Sequence, residues 1–306
     1  MIRNLDPSAE RFLLDLRRIQ TVTGRAQREI SSGLRVGSPS DAPDQIGDIL
    51  QLRAGILRAA QIRTNLGRLQ TETAAAEDAL NLSVKVMDRA RVLGSRGAGS
   101  TETAEARQIL AGEVEALLEQ LVSASRTTVE NRYVFSGDRD REPAYELDLA
   151  AAGGVDRRFT TQATRRVEHP NGSSFEVSRT AQEIFDLRLP DDTPAPENAF
   201  TALNNLRVAL QNNDQAAIDA ALPAVRLAGD YLNRMLSFYG SVQRKVDEAV
   251  DSANRLETQL TIELGDKRDA DLAAAIVELQ QSVAQEEAAL GARAQLPRTS
   301  LFDYLG

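Results

Sequence analysis

The feature that most constrains the fold is a helical pattern of about fifty residues, which begins after Pro43 and continues to about Leu93. Its apolar and small residues recur at alternating steps of four and three, the spacing of a narrow helical seam. The seam consists of Ile62, Leu66, Leu69, Thr73, Ala76, Leu80, Ser83 and Met87. A helix of this length spans roughly 75 Å. We therefore expect long helices rather than one compact globule.

Two shorter seams with the same spacing lie near the two ends of the chain. The N-terminal seam contains Phe12, Leu16, Ile19, Ala26 and Ile30, with Thr23 as a weak position, and the C-terminal seam contains Leu272, Ile276, Leu279, Val283 and Leu290. An amphipathic helix on its own leaves such a seam in water, which is unfavourable. The two seams are therefore expected to pack together in an assembled state. The alternative is that each packs on a neighbouring helix within a monomer.

Glycine, proline and capping residues separate the helices. The stretch Gly33–Pro43 predicts a loop, which is either an interface or hinge or a plain connector. Gly94, Gly97 and Gly99 are expected to end the long helix, and Thr101 to Thr103 offer N-caps for the next one. Further helices are predicted from about Ala199 to Leu210 and from about Gln215, with a break at Gly265.

The pattern changes to short alternating runs between Tyr133 and Leu189. The pair Asn171-Gly172 separates two such runs and predicts a hairpin in which both central residues of the turn have positive φ. The pair Gly153-Gly154 predicts a second turn, and the Pro-rich segment from Pro190 to Pro196 closes the region. This part of the chain is expected to form a small β-rich insert.

The predicted fold is mainly α with a small β-rich insert, in which the N- and C-terminal segments form a long antiparallel helical or coiled-coil rod. Four regions follow from the pattern. They are an N-terminal coiled-coil segment, 1–42, that pairs with a C-terminal one, 266–306; a helical rod domain, 43–135 with 199–265; and a β-rich outer domain, 136–198.

Composition and charge argue against nucleic-acid and membrane partners. The net charge is −9 and the sequence pI is about 4.9, whereas nucleic-acid binding needs a cationic face. Four arginines between Arg157 and Arg166 are spread along predicted strands and favour a solvated sheet face. No apolar run approaches the length of a membrane span. The first eighteen residues have no apolar core of signal-peptide length.

The sequence offers no reaction centre, and we expect no catalytic residue, metal or cofactor. There is no cysteine and only one histidine, His169, beside the predicted turn. The usual zinc sites and Ser-His or Cys-His nucleophiles therefore lack their ligands and partners. Asp266, Asp269 and Asp271 cluster where a helix restarts, and helix capping explains them better than calcium binding does.

Three segments resemble the flagellin superfamily. The stretch ISSGLRVGSPSDAPDQIGDILQLR, Ile30–Arg53, is similar to the N-terminal signature of that family, in which a helix ends in Ser-Ser-Gly and a basic turn and a Ser-x-x-Asp motif precede a long helix. The stretches NRYVFSG, Asn131–Gly137, and SLFDYL, Ser300–Leu305, resemble the hook-associated, flagellin-like members rather than filament flagellins. The resemblance covers about Met1–Gly137 and Ala199–Gly306, and the β insert matches only in placement.

The resemblance implies a structural role in the bacterial flagellum, at the junction between hook and filament. It implies export by the flagellar type III apparatus with an uncleaved signal, an export chaperone, and an extracellular location. The implied partners are copies of the chain in a ring, the hook-proximal junction protein and flagellin. The implied assembly interface comprises the two terminal seams together with Leu301, Phe302, Tyr304 and Leu305.

Two alternatives to this interpretation remain at this point. The first is a flagellin that forms the filament itself, against which the NRYVFSG and SLFDYL stretches argue. The second is a helical enzyme or regulatory coiled coil whose β insert binds a ligand. Specific turnover, or stoichiometric binding of a small molecule by the insert, would favour the second alternative.

Overall fold

The computed structural model describes residues 7–161 and 165–295, and along them the chain is mainly α-helical. The helices are α1 (Pro7–Ser32), α2 (Ile46–Gly97), α3 (Ala104–Ser125), α4 (Ala181–Ile184), α5 (Ala199–Gln211), α6 (Gln215–Arg268) and α7 (Leu272–Gln295). The predicted fold class, mainly α with a small β-rich insert, is confirmed. The loop predicted from Gly33 lies between α1 and α2.

The predicted end of the long helix was early by about one turn. Gly94 and Gly97 both lie inside α2 and are buried. A Cβ at Gly94 would come within 2.7 Å of Leu222 Cδ2, so glycine serves close helix packing here rather than a break. The helix ends at Gly97, and Thr103 caps α3 by accepting a hydrogen bond from the Ala106 N–H, as its position predicted.

A second predicted break, at Gly265, was also misplaced. Helix α6 continues through Gly265 to Arg268, and α7 begins at Leu272. The side chain of Asp271 accepts hydrogen bonds from the N–H groups of Ala273 and Ala274, in the first turn of α7, at 3.0 and 3.1 Å. Asp271 is thus a cap of α7, as the sequence indicated for this acidic cluster.

The β-rich insert consists of three separate two-stranded antiparallel ladders in the described residues. They pair β1 (Thr128–Val129) with β2 (Arg132–Tyr133), β3 (Tyr145–Leu147) with β4 (Val155–Arg157), and β5 (Arg166–Glu168) with β6 (Ser174–Glu176). The predicted turn at Gly153-Gly154 lies between β3 and β4, with Gly154 at φ +73°. Such short ladders depend on packing against helices for stability.

The hairpin predicted at Asn171-Gly172 is confirmed, but its turn differs from the prediction. Gly172 has φ +86°, whereas Asn171 is not in the positive region. The N–H of Gly172 donates to the His169 carbonyl at 2.8 Å, and the His169 N–H donates to Ser173 at 2.7 Å. This is a three-residue loop in which only the glycine needs the left-handed conformation.

The chain divides into two compact units. The terminal unit comprises residues up to Arg58 together with those from Leu256 onward, and the middle unit comprises Ala59–Arg255. The largest hydrophobic core lies in the middle unit and includes the ring cluster of Phe135, Phe185 and Phe200. The boundaries predicted at residues 42, 135, 198 and 265 remain predictions.

The four arginines of the insert pair with carboxylates instead of forming an open cationic surface. The ion pairs are Arg157–Asp192, Arg158–Glu146, Arg165–Glu72 and Arg166–Glu176. Arg165 also contacts Asp140 at 3.1 Å, and it is only 30% exposed. These pairs neutralise the cationic charge of the strands.

Candidate assembly surface

Helices α1 and α7 pack side by side in the terminal unit. Thr23 Oγ1 donates to Ser282 Oγ at 3.0 Å, and Arg25 contacts Glu278 at 3.3 Å. Closer to the N-terminus, the Arg293 guanidinium lies over the Phe12 ring at 5.7 Å. Residue numbers fall along α7 as they rise along α1, so the two helices run antiparallel.

Small side chains fill the centre of this helix pair. Ala26 on α1 is 0% exposed, and Ala275 and Ser282 on α7 are 2% and 3% exposed. Small residues let two helices approach closely, and they bury little apolar area per residue. The pair is therefore closely packed but offers little hydrophobic stabilisation of its own.

The loop after α1 is tied to the segment between α6 and α7. Leu34 forms an antiparallel bridge with Asp269. The N–H groups of Arg35 and Val36 donate to the Arg268 carbonyl at 2.8 and 3.1 Å, and the Ala270 N–H donates to Gly33 at 2.9 Å. Gly33 adopts φ +70°, a conformation that favours glycine, and it lets the chain turn directly into this bridge.

Asp41 closes the same loop. Its Oδ2 accepts hydrogen bonds from the N–H groups of Gly37 and Ser38 at 3.0 and 2.7 Å. The backbone and side chain of Ser38 contribute most to lowering the pKa of this carboxyl below its usual value. The loop, α1 and the start of α7 line a cleft of about 880 Å³, which includes Arg25 and Arg28.

The two predicted seams differ in how much their side chains are buried. On α1, Ala26 is buried, and Phe12, Leu16, Ile19 and Ile30 are partly buried. On α7, only Leu279 among the five is partly buried. The other four are exposed: Leu272 47%, Ile276 45%, Val283 39% and Leu290 49%. The predicted residues Leu301, Phe302, Tyr304 and Leu305 lie outside the described residues.

Sequence reasoning missed that α7 has two faces. Ala275 and Ser282, seven residues apart, pack towards α1 and were not among the predicted interface residues. The small-residue repeat was the available signal. We call the exposed set Leu272, Ile276, Val283 and Leu290 the open seam. Because these four have no cover within the described part of the chain, their role as an interface between copies stays a prediction.

The described residues contain no group of three or more His, Asp or Glu side chains that could hold a metal ion. His169 lies in the β5–β6 turn, where its Nδ1 accepts a hydrogen bond from the Asn171 N–H at 3.2 Å. Across the described ranges, no helix is both long and apolar enough to cross a membrane.

Comparison with known proteins adds a sequence match and several likenesses of fold. Residues 8–140 match the family of the bacterial flagellin N-terminal helical region. No curated protein shows significant sequence similarity to the chain.

Solved structures of flagellar hook-associated proteins share the fold. A putative flagellar hook-associated protein from Vibrio parahaemolyticus is 21% identical, with a TM-score of 0.64, over 75% of this chain and 100% of that one. Flagellar hook-associated protein 3 from Legionella pneumophila is 14% identical, with a TM-score of 0.61, over 71% and 98%. FlgL from Bacillus cereus is 18% identical, with a TM-score of 0.54, over 72% and 100%.

The match over residues 8–140 covers α1, α2 and α3 with the start of the insert, the part that carries the Ile30–Arg53 signature. The structural likeness extends over about three quarters of the chain. The N-terminal part of the chain is therefore similar to the flagellin N-terminal helical region, and the fold is shared with solved structures of FlgL.

Proposed function

We propose that this protein is a structural subunit of the bacterial flagellum that joins the hook to the flagellin filament. The observation that carries the proposal is the open seam of α7. Four aliphatic side chains, 39% to 49% exposed, lie on one helix that already uses a neighbouring face against α1. A monomer gains nothing from this arrangement, whereas a polymer of copies can cover it.

The energetic argument concerns what assembly would add. Full burial of one aliphatic side chain contributes about 1.5–3 kcal/mol, and half-exposed side chains still have part of that to gain. Four such residues spaced by four and seven positions lie on one side of a helix. Contact between terminal helices of neighbouring copies would therefore be favourable, and it would complete the packing of the terminal unit only on assembly.

The proposal includes specific partners and a location. The subunit would form a ring with its own copies, bind the hook-proximal junction protein on one side and flagellin on the other, and meet an export chaperone before secretion. It would leave the cell through the flagellar type III apparatus and act outside it, without catalytic activity. The fold shared with hook-associated proteins supports the junction role.

A filament-forming flagellin is the second candidate, because the sequence match is to the flagellin N-terminal region. The two candidates differ in what the purified chain forms. A flagellin polymerises into long filaments, whereas a junction subunit stops at a short cap.

Electron microscopy of purified protein added to hook fragments tests the proposal. The preparations should be compared with and without the hook-proximal partner, and then with flagellin added. We expect a short cap that forms only in the presence of the partner and that then accepts flagellin. Long filaments grown from this protein alone would make it a flagellin. No binding to hooks under any of these conditions would contradict the junction role, and the absence of filaments as well would contradict both candidates.

A further inference from the structure

A groove on the middle unit lies where the C-terminal half of α3 meets β2 and β3. It has a volume of about 520 Å³, and its lining includes Glu119, Ser123, Arg126, Thr128, Tyr133 and Leu147. Leu147 is 36% exposed, and the Tyr133 ring is partly buried. The lining of the groove therefore combines apolar side chains with charged ones.

The charged groups of this groove have no partner in the part of the chain that the structure describes. Neither the Glu119 carboxylate nor the Arg126 guanidinium forms a hydrogen bond or ion pair with any residue of 7–161 or 165–295. Glu119 lies on α3 and Arg126 is its C-cap residue; they are seven positions apart, so their Cα atoms are separated by roughly 10.5 Å along the helix axis. Tyrosine and arginine are enriched in the energetically important part of protein interfaces.

A complementary surface lies near the N-terminal end of α6, also in the middle unit. Asp219, Pro223, Arg226 and Leu227 are all exposed there, Leu227 by 38%. Asp219 and Arg226 are likewise seven positions apart, with the acidic residue first. Arg226 has no hydrogen bond or ion pair in the described residues. Asp219 Oδ2 accepts one hydrogen bond, from Gln215 Nε2 at 3.2 Å, and its other carboxylate oxygen has no donor among the described residues.

Proline gives this surface a further acceptor. Pro223 lies inside α6 and has no N–H. The carbonyl four residues earlier, that of Asp219, therefore lacks its usual helical donor. An exposed carboxylate and an undersaturated carbonyl at the same residue form a site for an incoming guanidinium, which has several N–H donors.

We propose that the α3 groove of one copy binds the α6 surface of a second copy of this chain. The helices would run antiparallel, with Arg126 on the carboxylate and carbonyl of Asp219 and Glu119 on Arg226. Leu147 and Tyr133 would pack on Pro223 and Leu227. The two surfaces differ, so the contact is heterologous, the type that generates rings or helical arrays. The inference rests on the proposed function, because it names the contact that would hold neighbouring copies together.

Single cysteines test the contact without background, because the chain contains no cysteine. A Ser123→Cys preparation is mixed with an Ala220→Cys preparation and treated with a short bismaleimide, both in concentrated solution and on hook fragments. Ser123 lines the groove, and Ala220 is exposed beside the α6 surface. Gln108→Cys, exposed elsewhere on α3, replaces Ser123→Cys in the control. We expect a mixed cross-link for residues 123 and 220 and none for residues 108 and 220.

Charge reversal identifies the pair that makes the contact. Glu119→Arg introduced with Ser123→Cys, or Arg226→Glu introduced with Ala220→Cys, should lower the cross-linked yield about tenfold, because like charges then face each other. The combination of both reversals should restore most of the yield. Glu142→Arg and Lys85→Glu, which reverse exposed charges elsewhere in the middle unit, should leave it unchanged.

The outcomes separate this inference from the proposed function. The contact is supported if the yield of the mixed cross-link, in concentrated solution or on hook fragments, falls with each single reversal and recovers with both. If the mixed cross-link is absent both in concentrated solution and on hook fragments, or if its yield does not change with the charge reversals, the contact is wrong. Whether the wild-type chain caps hook fragments decides the proposed function independently, and a cap without the cross-link would leave that function standing with a different contact between copies.

Discussion

The middle and terminal units both consist largely of helices, yet they bury very different side chains. In the middle unit Phe135, Phe185 and Phe200 are 0% exposed, and their rings contact one another at centroid distances of 5.6 and 5.9 Å. In the α1–α7 pair the fully buried positions are Ala26, Ala275 and Ser282. Helix content alone therefore does not indicate which unit is stable without a partner.

The difference suggests that the middle unit is more stable by itself than the α1–α7 pair. Large buried rings bring substantial area out of water, so the middle unit has the core of an independent domain. The α1–α7 pair buries small residues and leaves large aliphatic ones exposed. This contrast agrees with the proposal that the pair completes its packing between copies. The predictions below test this contrast.

The largest effect is expected from truncating the ring cluster. Phe185→Ala should lower the free energy of unfolding by about 3–5 kcal/mol, because it leaves a cavity between Phe135 and Phe200. The matched variant, Val283→Ala in the open seam, should change it by less than about 0.5 kcal/mol in the monomer. Chemical denaturation followed by circular dichroism measures both. Equal losses would mean that the open seam is already packed in the monomer.

The next effect concerns two arginines that differ in burial. Arg107 is 6% exposed, and it donates to the carbonyls of Gly97 and Gly99 and to Asn213 Oδ1, at 2.9, 3.2 and 2.7 Å. Arg107→Ala should cost ~2–3 kcal/mol, because it removes several hydrogen bonds made by a charged group and leaves the buried Gly97 carbonyl without its donor. Arg25→Ala, which removes the exposed pair with Glu278, should cost under about 1 kcal/mol.

Thermal or denaturant unfolding of the two arginine variants provides the comparison. Arg107→Lys serves as the control for charge, since lysine keeps the cation but cannot reproduce the several directed N–H donors of the guanidinium. We expect the lysine variant to recover only a minor part of the lost stability. Similar losses of stability for Arg107→Ala and Arg25→Ala would contradict the difference in side-chain burial between the two units.

A smaller effect is expected when the α1–α7 pair is overpacked. Ala275→Leu places a large side chain at a position that is 2% exposed, and it should destabilise the pair by about 1–3 kcal/mol. Ala273→Leu, on the exposed side of the same helix, is the matched control. Limited proteolysis should cut α1 and α7 faster in the first variant only, with the middle unit unaffected. Faster cleavage within the middle unit would show that the two units unfold together.

The smallest effect is that of acid on the loop after α1. The lowered pKa of Asp41 means that its ionised form favours the folded loop above the usual pKa of an aspartate. This contribution is lost as the pH falls through the lowered folded value. Asp41→Asn should remove that pH dependence and speed proteolysis of residues 34–45 at neutral pH. An NMR titration of the Asp41 carboxyl that showed an ordinary pKa would contradict the assignment.

Much of the fold could be predicted because the helix periods are long and the caps are local. Thr103 and Asp271 begin helices where the sequence indicated. The predicted helix ends at Gly94 and Gly265 were wrong, because glycine alone indicates a helix break, whereas both residues lie inside helices. At Gly94 the need for glycine comes from Leu206 and Leu222, which are more than a hundred positions away.

The candidate surface was only partly predictable for a related reason. A repeat of four and three steps shows that α7 is amphipathic, but it does not show which face meets α1. Ala275 and Ser282 were passed over because small residues carry a weak hydrophobic signal, although close helix contact selects them. The α3 groove depends on the meeting of Glu119 with Leu147 across the chain, which no local pattern reveals.

The most direct test of the central claim is amide hydrogen exchange of the protein as a monomer and after it has bound to hook fragments. We predict that α7 exchanges faster than the core helix α5 in the monomer and becomes protected on assembly, while α5 changes little. Full protection of α7 in the monomer, with no further change on assembly, would contradict the account that the terminal unit completes its packing between copies.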